Sequence, residues 1–135
     1  MAIESAFRQR VAVVLRANGC FIQTVESDTT PGIPDLYYLK DSVSGWVELK
    51  LAKVLPKRST TAVFKSMNHS LSNEQANWIS LCLKAGGTAW VLAGYKRTLW
   101  LVPGALADQF NDMTVEQLDK FKVTKEELPG KLLAG

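Results

Sequence analysis

Histidine and cysteine are scarce in this chain, and acidic residues are missing from one long stretch of it. The two cysteines, Cys20 and Cys82, have no ligand-like spacing, which excludes a structural zinc site. They read as small buried hydrophobes. The single histidine, His69, falls at a loop–helix junction and reads as a turn residue rather than a catalytic base. No run of about 18 apolar residues exists, so no membrane span is expected. The opening MAIESAFRQR lacks the pattern of a secretory signal. The expected location is therefore cytoplasmic, with reduced thiols.

Between Leu49 and Asn73 there is no Asp or Glu, while Lys50, Lys53, Lys57, Arg58 and Lys65 all fall inside. That segment carries +5; against a whole-chain charge of +3, this leaves −2 for everything else. A basic tract on a slightly acidic body suits a protein that grips a polyanion at one place, although a solvated lysine-rich loop has the same composition.

What is present is globular. With 47% hydrophobic residues and no repeat, the 135 residues predict a single domain able to bury a core without staples. A first helix is expected over Ile3 to Ala17, where Ile3, Phe7, Val11, Val14 and Leu15 share a stripe that Asn18-Gly19 terminates. Strands follow at Cys20–Val25, Asp35–Lys40 and Trp46–Leu51, the last two joined by a turn over Asp41 to Gly45. Residues from Lys53 to Ser70 show little periodicity and predict a long loop. Ser72-Asn73-Glu74-Gln75 is a capping box that opens a helix ending at Gly86-Gly87. TAWVLA and TLWLV predict two more strands, followed by helices near Ala105–Phe110 and Thr114–Phe121. The order αβββαββ implies an α/β sandwich around a mixed sheet.

GIPDLYYLKDSVSGWVELK is the most informative stretch. Residues two apart on a strand share a face, so Glu48 and Lys50 project together and Asp35 can approach them across the hairpin. Two carboxylates held close repel, and a hard divalent cation such as Mg²⁺ or Mn²⁺ resolves the repulsion. Lys50 beside it could orient or deprotonate a water, the layout for metal-assisted phosphodiester hydrolysis. The same spacing also fits solvated ion pairs on a surface hairpin, and the spacing alone does not choose.

GIPDL, WVELK, LSNEQANW and TAWVL together closely resemble the PD-(D/E)XK nuclease superfamily, and within it the VRR-NUC (virus-type replication-repair nuclease) family. The likeness covers residues 3 to 93 and implies a restriction-endonuclease-like core, a mixed β-sheet flanked by helices. Pro34, Asp35, Glu48 and Lys50 match the signature, and Gln75 matches a glutamine on the helix after the core hairpin. The resemblance implies that Asp35, Glu48 and the backbone carbonyl of Leu49 bind Mg²⁺, with Mn²⁺ as a substitute. It also implies that Glu4 adds a ligand. It further implies a DNA endonuclease leaving a 5′-phosphate and a 3′-hydroxyl, structure-specific toward Holliday junctions or branched DNA, and acting as a homodimer. TLWLV and the C-terminal helices beyond about residue 103 are the candidate dimer surfaces.

One departure stands out. Leu51 to Ser70 forms an insertion between the E-x-K strand and the L-S-x-x-Q helix, and it holds most of the basic tract. Lys53, Lys57, Arg58 and Lys65 on it are the candidate DNA contacts, giving affinity without sequence choice. Gln75 has two competing jobs, capping the Ser72 N–H and lining the site. Glu4 likewise suits the helix dipole without any metal. The tryptophans read as core rather than base-stacking residues. The alternative function is a non-catalytic nucleic-acid-binding module that keeps the nuclease fold.

Overall fold

The computed structural model describes residues 2–26, 29–65 and 70–134, with side chains from residue 5 onward. Helix α1 (Ala2–Ala17) buries Phe7, Val11 and Leu15 of the expected stripe, with Val14 half-buried, Ala12 buried beside them and the Ile3 side chain outside the described residues. It ends as expected at Asn18-Gly19. Gly19 turns left-handed at φ 85°, and the Cys20 N–H reaches back to the Leu15 carbonyl at 3.1 Å.

Strands β1 (Phe21–Thr24), β2 (Leu36–Lys40) and β3 (Val43–Leu51) form an antiparallel meander. Strand β4 (Ala89–Tyr95) lies parallel to β3, and a parallel neighbour needs a crossover. Helix α2 (Asn73–Lys84) lies on that crossover. Strands β5 (Thr98–Pro103) and β6 (Lys122–Val123) add antiparallel on the far side, giving one sheet in the order β1-β2-β3-β4-β5-β6. Helices α3 (Val115–Leu118) and α4 (Leu128–Leu133) complete the chain. This is the mixed α/β sheet flanked by helices that the sequence pattern predicts.

Each sheet face has its own core. Leu36, Tyr38, Val47, Leu92 and Leu101 pack with α1 and α4, while Val91, Ala93, Trp100 and Val102 pack with Ile79 of α2 and with Phe64 and Phe110. Because β4 sends side chains into both cores, it reads as an uninterrupted apolar run. The buried Tyr38 hydroxyl donates to the Leu132 carbonyl and accepts from the Trp90 indole, each at 3.1 Å. That bond ties α4 to the centre of the sheet.

Several expected boundaries move. The turn after β2 is two residues long, not five: Asp41 and Ser42 are both left-handed, at φ 51° and 69°, and Lys40 already pairs with Val43. Such a turn matches strand twist, so the polar residues Ser44 and Gly45 stay in the ladder. The strand β6 and the helix α4 have too little periodicity to be expected from sequence. The TLWLV strand sits mostly inside the chain's own core, with its outer edge paired, among the described residues, only at Leu99 and Trp100. Trp100, Leu101 and Val102 are buried within the chain, and the two-residue β6 forms the Leu99–Val123 and Trp100–Lys122 pairs.

The described residues of the long connection after β3 hold no helix or strand, yet they are anchored. The Ala52 N–H donates to the Gly94 carbonyl at 2.8 Å, and the Val63 N–H to the Met113 carbonyl at 3.0 Å. The Phe64 ring stacks on Phe110 with centroids 4.8 Å apart, in a 3-10 helix spanning Gly104–Asp112. The Asn111 amide then satisfies both backbone groups of Leu71, at 2.7 and 2.8 Å. Among the described residues, no helix is long and apolar enough to cross a membrane.

Candidate active site

Asp35 precedes β2 by one residue. Leu36 pairs with Val47, so continuing the antiparallel register sets Asp35 opposite Glu48. Asp35 Oδ2 accepts the Leu49 backbone N–H at 2.8 Å, which fixes the carboxylate against β3. Burial pushes its pKa above the ordinary range, against the downward pull of that N–H, Lys50 and Arg8.

Glu48 is 3% exposed and is the buried charged residue of the described core. Its Oε2 accepts from the Gln75 amide at 3.0 Å and lies 3.4 Å from Lys50 Nζ. Its Oε1 is buried without a donor. Burial first, and the neighbouring Asp35 carboxylate second, push the Glu48 pKa from 4.5 to about 8. A proton on Glu48 can then be donated toward Asp35, which spares the pair two adjacent negative charges.

Lys50 Nζ donates to Gln75 Oε1 at 2.9 Å. The same oxygen accepts the Ser72 N–H at 2.9 Å, and the Gln75 N–H donates to Ser72 Oγ at 3.1 Å. Gln75 does not line the cleft itself, but its one amide both caps the Ser72 N–H and meets the side chains of Lys50 and Glu48. The capping box orients the amide so that its oxygen meets the lysine and its nitrogen meets Glu48.

Gly32 brings the two halves together. At φ 83° its backbone packs on the first turn of α2, where a Cβ would lie 2.3 Å from the Glu74 carbonyl oxygen. The segment delivering Asp35 therefore rests on the helix turn delivering Gln75.

Asp35, Glu48, Leu49 and Lys50 line a cleft of about 360 Å³, joined by Arg8 and Glu26. Arg8 and Glu26 pair at 2.9 Å on its border, and neither is picked out by the sequence motifs. The available signal for Arg8 was its position one helical turn after Glu4. The Glu4 side chain and His69 lie outside the described residues. Lys53, Lys57, Arg58 and Lys65 do not line this cleft. The first three are exposed, and Lys65 pairs with Asp112 at 2.9 Å on the surface.

A divalent cation fits the donors present. The hard oxygen ligands of Asp35 and Glu48 converge, and the donorless Glu48 Oε1 is left for a cation to satisfy. No cluster of three His, Cys, Asp or Glu side chains exists among the described residues, so an ion here would take part of its shell from backbone, water or substrate.

No protein-family model matches the chain. No curated protein matches it in sequence either, so the VRR-NUC likeness rests on its motifs. In three dimensions the chain is similar to Hjc of Archaeoglobus fulgidus, a Holliday junction resolvase from an archaeal hyperthermophile. The TM-score is 0.65 at 16% identity, over 94% of this chain and 98% of that one. The protein therefore has the restriction-endonuclease-like fold of that resolvase.

Proposed function

We propose that this protein is a metal-dependent DNA endonuclease that hydrolyses phosphodiester bonds in branched DNA, Holliday junctions above all. The observation that carries the reading is the buried Asp35–Glu48 pair with Lys50 beside it. A binding module has no use for two carboxylates held together at the cost of raising the pKa of both. The shared fold with a Holliday junction resolvase supports the substrate class, and a junction's two symmetric strands call for two sites and hence a homodimer.

Asp35, Glu48 and the Leu49 carbonyl are the proposed holders of Mg²⁺, or of Mn²⁺ in its place, with Glu4 as a further ligand. When bound, the ion supplies the positive charge that polarises a phosphoryl oxygen and acidifies a neighbouring water. The remaining work belongs to the chain. Lys50, held by Gln75, offers Nζ to orient the water and to offset charge developing on the phosphate. Gln75 anchors that ammonium beside Glu48, and the Leu49 N–H holds Asp35 in place. Lys53, Lys57, Arg58 and Lys65 are proposed to bind the DNA backbone outside the cleft.

Flap, nicked and four-way-junction DNA incubated with Mg²⁺ or Mn²⁺ test this. Cleavage of the branched substrates is expected from wild type and not from Glu48→Ala. Equal background from both proteins on every substrate would leave the non-catalytic binding module as the better reading.

A further inference from the structure

The Arg8–Glu26 pair has no role in the chemistry described above. Arg8 comes from α1 and Glu26 from the segment after β1, so two elements meet at the cleft border. Their settings are unequal. The Arg8 side chain is 22% exposed and faces the cleft with Asp35, Glu48 and Lys50, whereas the Glu26 side chain is 78% exposed. Lys50 is already engaged by Gln75 and Glu48. Arg8 is thus the cleft-lining cation whose partner is a loosely held carboxylate on the rim.

We infer that Arg8 is a phosphate-binding residue of this site and that Glu26 occupies its guanidinium until a substrate phosphate displaces it. The ligand class, a phosphodiester backbone, rests on the nuclease reading. An exposed ion pair stabilises little, because solvent and salt screen it and two long side chains must be ordered. A phosphate oxygen entering the cleft meets the same planar fork of donors with less water competing, and can take two parallel N–H bonds. The exchange of carboxylate for phosphate at Arg8 therefore favours the phosphate. Arg8 also counters the negative charge of Asp35 from the α1 side, as Lys50 does from β3. The two cations border the carboxylates from different elements, and a phosphate between them would be held on both sides.

The test is binding of a labelled four-way-junction DNA in EDTA, where affinity is read without cleavage, using wild type, Arg8→Gln, Glu26→Gln and the double variant. Arg8→Gln should weaken binding about tenfold and reduce the salt slope by about one. Glu26→Gln should tighten binding about two- to fivefold by freeing the arginine. The gain must vanish in the Arg8→Gln background. Arg8→Lys, which keeps the charge but not the fork, should recover only part of the loss. A Glu26→Gln gain that persists without Arg8 would reveal a general charge effect and overturn the inference. So would an Arg8→Gln protein that binds like wild type. Neither result touches the nuclease reading, which stands or falls on whether wild type cuts DNA with Mg²⁺.

Discussion

Gln75 and Lys50 meet at 2.9 Å through an amide oxygen that also caps the helix on which Gln75 sits. Local helix chemistry and site geometry therefore share one atom, and two substitutions separate them. Ser72→Ala removes the hydroxyl that accepts the Gln75 N–H and should cost about 1 kcal/mol of stability. It should leave DNA cleavage within a few-fold of wild type, since the Lys50–Gln75–Glu48 chain persists. Gln75→Ala should cost a similar amount of stability and lower cleavage at least about tenfold. Thermal melts and single-turnover rates on the same preparations check the split.

The pH dependence of the metal-free protein follows from Glu48. Its folded pKa of about 8 stands above the ordinary 4.5, so between those values the folded state holds a proton that the unfolded chain has lost. Stability should therefore be greatest below pH 4.5 as far as this group is concerned, decline as pH rises, and level off above about 8. The raised Asp35 contributes in the same direction. Glu48→Gln should flatten the slope, measured as unfolding midpoint in urea against pH. Mg²⁺ should raise the wild-type midpoint more above the Glu48 pKa than below it, because the ionised carboxylate is the proposed ligand.

Gly32 and Gly86 offer a controlled comparison of backbone strain with packing. Both are left-handed, at φ 83° and 94°, but a Cβ at Gly86 meets nothing within 4 Å while one at Gly32 strikes the α2 backbone. Gly86→Ala should cost about 1 kcal/mol. Gly32→Ala should cost about 2 kcal/mol more and shift the first turn of α2, which carries Gln75. Equal losses in chemical denaturation would show that the loop does not bear on the helix.

Tyr38→Phe should destabilise the protein by about 1–3 kcal/mol, because the Leu132 carbonyl loses its donor and the Trp90 indole its acceptor in a buried setting. The loss should appear as faster hydrogen exchange in α4 before the sheet is affected.

The parts of the fold readable in sequence are those with strong local periodicity. Phe7, Val11 and Leu15 mark α1, and the alternation around Glu48 and Lys50 marks β3. The S-x-x-Q box marks the start of α2 and, through Gln75, a side chain that meets Lys50 and Glu48. The convergence of Asp35 with Glu48 was legible because a hairpin makes it a near-neighbour relationship. The rest depends on contacts that no short window contains. Arg8 finds Glu26 across 18 residues, and Tyr38 finds Leu132 across 94. β6 is two residues long, too short for a pattern, and forms because the edge of β5 is there to receive it. The sequence predicts a longer turn than Asp41-Ser42 because turn-forming residues also fill the first positions of β3. Phe64 lies in a stretch without periodicity, and its burial comes from a distant cluster that includes Phe110.

Calorimetric titration of Mn²⁺ into the purified protein is the sharpest test of whether Asp35 and Glu48 form a divalent-cation site. Wild type should bind saturably, more strongly above the Glu48 pKa than below it, and binding should be lost in Asp35→Ala and Glu48→Gln proteins that remain folded. Mn²⁺ binding that is absent from wild type, or unchanged in both variants, would contradict such a site.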